Sequence, residues 1–168
     1  MKLTYREGTK DDLPDLKELA IKSWQQFQKE LTEDSWQNLF KNISNEQTFV
    51  DLLALAHCFV CETDFREVIG MAFIVPSGTK RDIFEKEWAV IRFVSVNPTF
   101  GGQGIGKELT KMCIEWAKQN NENTIALHTS EMMHNARHIY ENFGFKILRE
   151  IQPRFGKKYW LYTLEIRN

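Results

Sequence analysis

Hydrophobic and polar residues repeat along this chain with two periods, and these predict where helices and strands lie. Apolar residues recur at helical spacing in five stretches, 13–27, 32–43, 46–56, 105–119 and 136–143. Short runs rich in β-branched and aromatic residues predict strands at 2–7, 57–63, 67–75, 88–96, 124–129, 145–151 and 158–166. This order is typical of the α/β class in its α+β form, one mixed sheet flanked by helices. A right-handed crossover would place the strand 124–129 parallel to 88–96. No repeat or linker interrupts the order, so we expect a single domain over 1–168.

One strand and the turn after it are the most informative part of the chain. The run 88–96 is apolar except for Arg92 and Ser95, which is typical of a buried strand. Four glycines then fall within six residues, directly before a predicted helix: Gly101, Gly102, Gly104 and Gly106. Glycines at such a turn let the backbone approach a ligand, and the first N–H groups of the helix have no partner. The pattern predicts a phosphate-binding loop.

Two common phosphate loops do not fit this spacing. No register of the four glycines gives the G-x-G-x-x-G of a dinucleotide-binding fold. The segment 101–107 does match the start of a nucleotide-triphosphate loop, but Glu108 stands where a magnesium-binding hydroxyl belongs, and its carboxylate would repel phosphates. A flexible surface turn is a further alternative, although so many glycines between two apolar elements argue against it.

Composition narrows the classes of function. The 168 residues carry a net charge of −1, and no block of Lys and Arg suggests a basic surface, so we expect no nucleic-acid partner. The N-terminus lacks the apolar region of a secretion signal, and no run approaches the roughly 18 residues of a membrane span. We therefore expect a cytoplasmic protein with no membrane partner.

The three cysteines agree with that compartment. Cys58 and Cys61, beside His57, look like half of a metal or redox motif. In a strand, however, residues three apart point to opposite faces, and no second Cys or His pair stands at zinc spacing. We therefore expect no metal site, two buried thiols, and Cys113 in the apolar stripe of the helix 105–119.

Two motifs together resemble those of the GNAT acetyltransferases. The first, V-x-P-x-x-x-G-x-G-x-G, spans 96–106 and includes the glycine loop. The second, L-x-T followed by A-x-x-x-Y-E-x-x-G-F, spans 127–145 and contains Tyr140. The element order also matches over nearly the whole chain. The resemblance implies a mostly antiparallel sheet whose two central parallel strands splay apart, and an N-acetyltransferase that uses acetyl-CoA as co-substrate.

The resemblance also implies roles for individual residues. Pantetheine would hydrogen-bond the backbone of Val94 and Val96, and a backbone N–H on the central strand would stabilise the oxyanion. Tyr140 would protonate the leaving thiolate, a step open to a phenol of pKa ~10 beside a thiol of pKa ~8.5; the alternative is a tyrosine that only packs in the core. Lys107 would add positive charge, or is simply a solvated lysine. The implied N–H donors to the pyrophosphate are those of Gly102, Gln103, Gly104, Ile105 and Gly106, and the implied cofactor-binding residues also include Gly101 and Lys107.

Several positions depart from the family pattern. Gly101 stands where the family often has arginine or glutamine, so one side-chain contact to the phosphates is missing. Met133 replaces an asparagine that contacts the cofactor in many members, and Asn135 is the nearest amide that could substitute for it.

The sequence does not identify the general base that accepts the proton of the amine. An amine of pKa ~10 must lose a proton before it attacks, so some acceptor is needed. Val90 replaces the glutamate that many members use, which leaves Glu87, His128 or a chain of waters. His134 and His138 are expected on the solvated face of the last helix.

The implied acceptor site lies between the first helices and the last turn. We expect a small amine, a polyamine or a peptide α-amine there, with a homodimer left open. A second hypothesis keeps the cofactor cleft without turnover, as a CoA sensor or interaction module; the missing glutamate favours it, whereas Tyr140 favours the enzyme. Aromatic and acidic side chains could form an aromatic slot with an acidic rim, or could be ordinary core and solvated residues: Trp24, Phe27, Leu31, Trp36, Phe155, Tyr159, Trp160, Glu30, Glu33 and Asp34.

Overall fold

The computed structural model describes residues 1–167 and shows the expected alternation of helices and strands. No helix in this range is long and apolar enough to cross a membrane. The elements, in chain order, are β1 Leu3–Glu7, α1 Leu13–Gln25, α2 Glu33–Ile43, α3 Glu46–Leu55, β2 His57–Thr63, β3 Val68–Val75, β4 Trp88–Val96, α4 Ile105–Gln119, β5 Thr124–Ser130, α5 His134–Asn142, β6 Lys146–Arg154 and β7 Lys157–Glu165.

The strands form one mixed sheet in the order β1-β2-β3-β4-β5-β7-β6. Neighbouring strands are antiparallel, except that β4 and β5 are parallel. The parallel ladder ends where Val90 pairs with Ala126. Beyond that point β4 stays paired with β3 up to Val96, and β5 stays paired with β7 up to Ser130. The two central strands therefore splay apart, as expected, and we call the V-shaped opening between them the cleft.

A β-bulge lies in β4 just beyond the last residue that pairs with β5. Met71 pairs with Ser95 but Phe73 pairs with Arg92, so β4 holds one extra residue against β3. Within the bulge Phe93 has a φ of 53°, a conformation that is uncommon for a bulky side chain. Its ring packs on Phe49, with 5.0 Å between the centroids. Because bulges bend a strand and redirect its side chains, this one helps to open the cleft.

Helices cover both faces of the sheet and bury two hydrophobic clusters. On one face, α1, α2 and α3 pack on the sheet around Leu16 and Phe49, and on the other α4 and α5 pack around Leu109. Helix α4 lies very close to β3, since a Cβ added to Gly70 would be 2.7 Å from Ile105 Cγ2. This close approach fixes the first turn of α4 against the centre of the sheet.

The element boundaries agree with the sequence predictions to within one or two residues, except at the end of β6. Helix α1 ends at Gln25 rather than at Phe27, because a separate 3-10 turn follows at Gln28–Glu30. Strand β6 continues to Arg154, where it pairs with Lys157 in the hairpin to β7. At the end of the longer β6, Arg154 lines the cavity between the central strands.

The cysteines lie where strand alternation predicted. Cys58 is buried in the cluster under α1, α2 and α3, whereas Cys61 is buried in the cluster under α4 and α5. Both thiols are free, and so is Cys113, which is fully buried. Burial raises the pKa of Cys58 to about 12, so this thiol stays protonated and unreactive.

Candidate active site

The glycine loop joins β4 to α4 in a conformation that requires glycine at two positions. Gly102 and Gly104 have φ values of 79° and 77°, in the left-handed region that other residues avoid. Gly104 directly precedes α4, and a Cβ built on either glycine would meet nothing within 4 Å. The loop therefore presents uncovered backbone in front of the N-terminus of α4.

The first turn of α4 holds backbone donors without acceptors. The first helical hydrogen bond runs from the Glu108 N–H to the Gly104 carbonyl, at 3.0 Å. The N–H groups of Ile105, Gly106 and Lys107 consequently have no helical acceptor, and the helix dipole adds positive potential there. A Cβ on Gly106 would lie 3.7 Å from the Val96 side chain, so the donors are next to the end of β4.

The backbone at the end of β4 faces the cleft. The Asn97 N–H donates to the Ile69 carbonyl at 2.8 Å, and Ser95 pairs with Met71. In an antiparallel ladder, residues bonded to one neighbour alternate with residues whose N–H and C=O point the other way. Val96 lies between two such bonded residues, so its N–H and C=O point into the cleft. A free strand edge of this kind can bind an extended ligand.

A cavity of about 180 Å³ lies in the cleft. Its walls come from residues 91–94 of β4, residues 127–129 of β5 and Tyr140 of α5. Trp24 of α1 and Phe155 of the last hairpin also line it. Val94 belongs to this lining, so the strand edge leads from the cavity toward the glycine loop.

Tyr140 lies in the cavity wall, two turns into α5. The residue is only 6% exposed, and its ring packs on Phe145 with centroids 5.8 Å apart. Burial first, and Cys113 second, raise the pKa of Tyr140 well above its ordinary value. The phenol is therefore fully protonated near neutral pH, but it is a weaker acid than the pKa of ~10 assumed from the sequence.

The cavity is cationic, and sequence analysis missed this property. Arg92 and Arg154 both line it. Arg154 Nη2 donates to Asp82 Oδ2 at 2.7 Å, on the exposed side of the cavity. Arg92 is half-buried, and its guanidinium lies 5.6 Å from the centroid of the Phe93 ring. The signal for Arg92 was present, since it is the one charged residue within the apolar run 88–96.

His128 lies between the two arginines and aromatic rings. Its Nε2 is 3.4 Å from Arg154 Nη1, and its ring stacks on Phe84 with centroids 5.8 Å apart. The other ring nitrogen, Nδ1, is buried and has no hydrogen-bond partner outside its own residue among residues 1–167. Burial first, then Arg154 and Arg92, lower the pKa of His128 to about 4. The imidazole is therefore neutral and only a weak base.

The other candidate base, Glu87, is not in the cavity. Glu87 is exposed and precedes β4 at the end where the central strands are paired. Val90 is buried in that paired region. Among residues 1–167, no Asp or Glu lines the cavity.

The structure separates the remaining predicted site residues. Met133 lines the cavity, whereas Asn135 is exposed in the first turn of α5 and lies outside the lining. Gln103 and Lys107 are exposed in the loop and first turn of α4. His134 and His138 are exposed on α5, as expected.

The aromatic and acidic residues of the expected acceptor site also separate. Tyr159 lines the cavity together with Trp24 and Phe155, whereas Trp36 is in the core. The acidic residues are exposed and lie outside the lining of this cavity, as the alternative of solvated residues predicts: Glu30, Glu33 and Asp34.

Comparison with known proteins identifies similar sequences. The Acetyltransferase (GNAT) family matches residues 13–145. An uncharacterized N-acetyltransferase of Methanocaldococcus jannaschii is 29% identical over 147 residues, which are 85% of this chain and 60% of that protein. N-acetylaspartate synthetase of Danio rerio is 36% identical over 95 residues, which are 56% of this chain and 32% of that protein. The chain thus spans less than two thirds of the length of either relative.

Solved structures share the fold. The PaiA N-acetyltransferase from Thermoplasma acidophilum, in complex with coenzyme A, matches with a TM-score of 0.78 and 16% identity, over 98% of this chain and 99% of that one. Likeness at this identity supports the fold alone. The family match, however, extends over most of the sequence and contains both the glycine loop and Tyr140. The chain therefore belongs to the GNAT acetyltransferase family.

Proposed function

We propose that this protein is an acetyl-CoA-dependent N-acetyltransferase, which transfers an acetyl group to a primary amine by direct attack in a ternary complex. The observation that carries the proposal is the cleft, because it connects a phosphate-binding loop to a cavity that contains Tyr140. Both sequence relatives are named for the acetylation or synthesis of N-acetyl compounds, and the structural neighbour holds coenzyme A. These names support the same assignment.

The glycine loop and the edge of β4 bind different parts of the cofactor. The pyrophosphate binds the free N–H groups of the loop and of the first turn of α4, where Lys107 adds charge at the surface. The backbone of Val94 and Val96 holds the pantetheine arm as an added strand. Gly101 offers no side chain to the phosphates, whereas the exposed amide of Asn135, in the first turn of α5, is a further proposed contact to the cofactor. The proposed loop contacts are Gly102, Gln103, Gly104, Ile105, Gly106 and Lys107. The predicted contact from Gly101 lacks a free donor, because the Gly101 N–H donates to the Pro98 carbonyl at 3.1 Å.

The reaction forms one C–N bond and breaks one C–S bond. The amine nitrogen attacks the thioester carbonyl, and a backbone N–H of β4 stabilises the oxyanion. When the tetrahedral intermediate collapses, the sulfur leaves and takes the proton of the Tyr140 hydroxyl. Tyr140 then regains a proton from water. Because burial raises the pKa of this phenol, the donor is in its protonated form throughout the neutral range.

The proton of the amine leaves through water. No carboxylate lines the cavity within residues 1–167, and the neutral His128 has a pKa of about 4. The imidazole of His128 is too weak a base to hold a proton taken from an ammonium of pKa ~10. The acceptor therefore reacts as the small fraction of free base, and the rate rises with pH until the amine is deprotonated.

A second candidate function is a CoA-binding sensor or interaction module without turnover. The absence of a carboxylate base from the cavity lining of residues 1–167 favours it. The retained Tyr140 favours the enzyme, because a module that only binds CoA needs no proton donor beside the sulfur.

The test is product formation. Purified protein is incubated with acetyl-CoA and a panel of amines that includes a short alkylamine, a polyamine, amino acids and a peptide with a free N-terminus. The enzyme should release one free thiol for each acetylated amine found by mass spectrometry. CoA binding without an acetylated product would establish the sensor, and the absence of both would refute both functions.

A further inference from the structure

Arg92 is a cation without an acidic partner inside the cavity. Among residues 1–167, no ion pair includes Arg92 and its guanidinium donates no hydrogen bond. The half-buried side chain stacks on Phe93 and lines the space between the central strands. Burial disfavours a charged guanidinium that has no hydrogen-bond partner. An arginine held in this way is suited to an anion that enters with the ligand.

The groups around Arg92 leave the cavity with excess positive charge. Arg154 faces the same space, and its Nη2 donates to the carboxylate of Asp82, which also acts electrostatically on Arg92. His128, between them, is neutral and hydrogen-bonds Arg154 through Nε2 at 3.4 Å. The two guanidinium groups of the lining thus face one carboxylate, and Arg81 adds a further positive charge near Arg92. The cluster can therefore accept at least one more carboxylate, which a planar guanidinium can bind with two parallel hydrogen bonds.

We propose that Arg92, supported by Arg154, binds a carboxylate of the acceptor, so that the acceptor is an amine that also carries a carboxylate, as an amino acid does. This proposal rests on the proposed acetyl transfer, since Arg92 and Tyr140 line one cavity. The remaining walls are largely apolar, with Trp24, Ile43 and Phe155 among them. An amino acid with an apolar side chain fits this lining, because its carboxylate can bind the arginines and its side chain can contact the apolar walls.

Two other roles for Arg92 give different outcomes. If its charge stabilised the oxyanion of the thioester, its loss would slow transfer to every amine by the same factor. If it bound a phosphate, O-phosphoethanolamine would be preferred over every amino acid. Carboxylate recognition instead predicts a loss confined to acceptors that carry the carboxylate.

The contribution of the carboxylate to acceptor recognition is measured with pairs of amines that differ only in that group. Leucine is compared with leucinamide and 3-methylbutylamine, and phenylalanine with phenylalaninamide and phenethylamine, at equal concentrations of free amine. We expect kcat/KM for each amino acid to exceed that of its uncharged partners by about 100-fold or more, because a site built for a hydrogen-bonded group rejects analogues that lack it. Equal or better use of the uncharged amines, or a preference for O-phosphoethanolamine, would overturn the proposal.

Two matched variants test whether Arg92 is the residue that binds the carboxylate. Arg92→Gln should reduce the preference for the amino acid to about 10-fold or less, mainly through KM, because the lost contact is made in both ground and transition states. Arg149→Gln is the control: it removes the same charge from an exposed position on β6, and the preference should be unchanged. An equal loss of kcat with all amines in Arg92→Gln would assign Arg92 to the chemistry instead and refute carboxylate binding.

The carboxylate site can also be tested if the protein does not transfer acetyl groups. If no amine is acetylated, binding of leucine and leucinamide to the CoA-saturated protein is measured by calorimetry. Preferential binding of leucine that is lost in Arg92→Gln but kept in Arg149→Gln would uphold the carboxylate site without turnover. Equal binding of both, or no binding of either, would refute it.

Discussion

Replacement of Gly104 by alanine tests the geometry of the phosphate loop directly. Gly104 has φ 77° and ψ 14°, and a new Cβ would meet no atom within 4 Å. The substitution therefore creates no clash, and its effect is the backbone strain of a left-handed alanine, about 1–2 kcal/mol. The smaller freedom of alanine in the unfolded chain offsets about 0.4–1 kcal/mol. We expect a net loss of about 1 kcal/mol in the free energy of unfolding.

Gly106→Ala is the matched control, two residues further along. Gly106 lies in the first turn of α4 without a left-handed φ, and its Cβ would lie 3.4 Å from Ile139 Cδ1, an ordinary contact. Alanine is favoured over glycine in a helix by up to about 1 kcal/mol. The same chemical change should therefore leave stability unchanged or raise it. The two variants differ in sign only if the loop has the conformation described.

Equilibrium unfolding in urea, followed by circular dichroism, measures both variants. For a chain of 168 residues, a loss of 1 kcal/mol corresponds to a fall in Tm of about 2–4 °C. Gly104→Ala should also weaken CoA binding, because its methyl group projects into open space before the N-terminus of α4. Equal stability changes in Gly104→Ala and Gly106→Ala would refute the left-handed assignment and the phosphate loop built on it.

Two further predictions concern the cavity. Tyr140→Phe should lower kcat by about 10²–10⁴-fold and leave the Kd of CoA unchanged, as measured by thiol release and calorimetry; an unchanged kcat would contradict the acid role. The pKa of His128 is lowered from 6.5 to about 4 by burial and two arginines, so the unfolded chain takes up the proton first and stability is lost as pH falls from 6.5 towards 4. Between pH 7 and pH 5 His128 should account for about 2 kcal/mol of lost unfolding free energy, and the loss should be smaller in His128→Gln; equal losses in both proteins would contradict this assignment.

The sequence predicted the fold well because each element carried a local signal. The alternation in 57–63 placed Cys58 and Cys61 on opposite faces, and the structure confirms this. The glycine spacing predicted the sharp turn into α4, where Gly102 and Gly104 have positive φ. These features depend on neighbours in the chain, so periodicity and turn chemistry were sufficient to find them.

The shape and the positive charge of the cavity could not be predicted from local sequence signals. Nothing in the run 88–96 indicates a bulge at Phe93, since an aromatic residue there favours regular strand. Arg154 reaches the cavity only because β6 extends further than expected before its hairpin with β7. Acidic residues near the second helix suggested a site for a cationic amine, but long-range pairing places two arginines in the cavity instead. Contacts between distant segments therefore determine the charge of the site.

Titration of the purified protein with acetyl-CoA, CoA and ATP, with Tm as the readout, tests the central claim that the cleft binds acetyl-CoA. A ligand that binds only the native state raises stability by RT ln(1 + [L]/Kd), about 2.7 kcal/mol at a hundredfold excess over Kd. We expect both CoA species to raise the Tm, ATP to leave it unchanged, and the rise to be smaller in Gly104→Ala. No rise in Tm with acetyl-CoA would contradict the account, because the loop and the edge of β4 would then hold no cofactor.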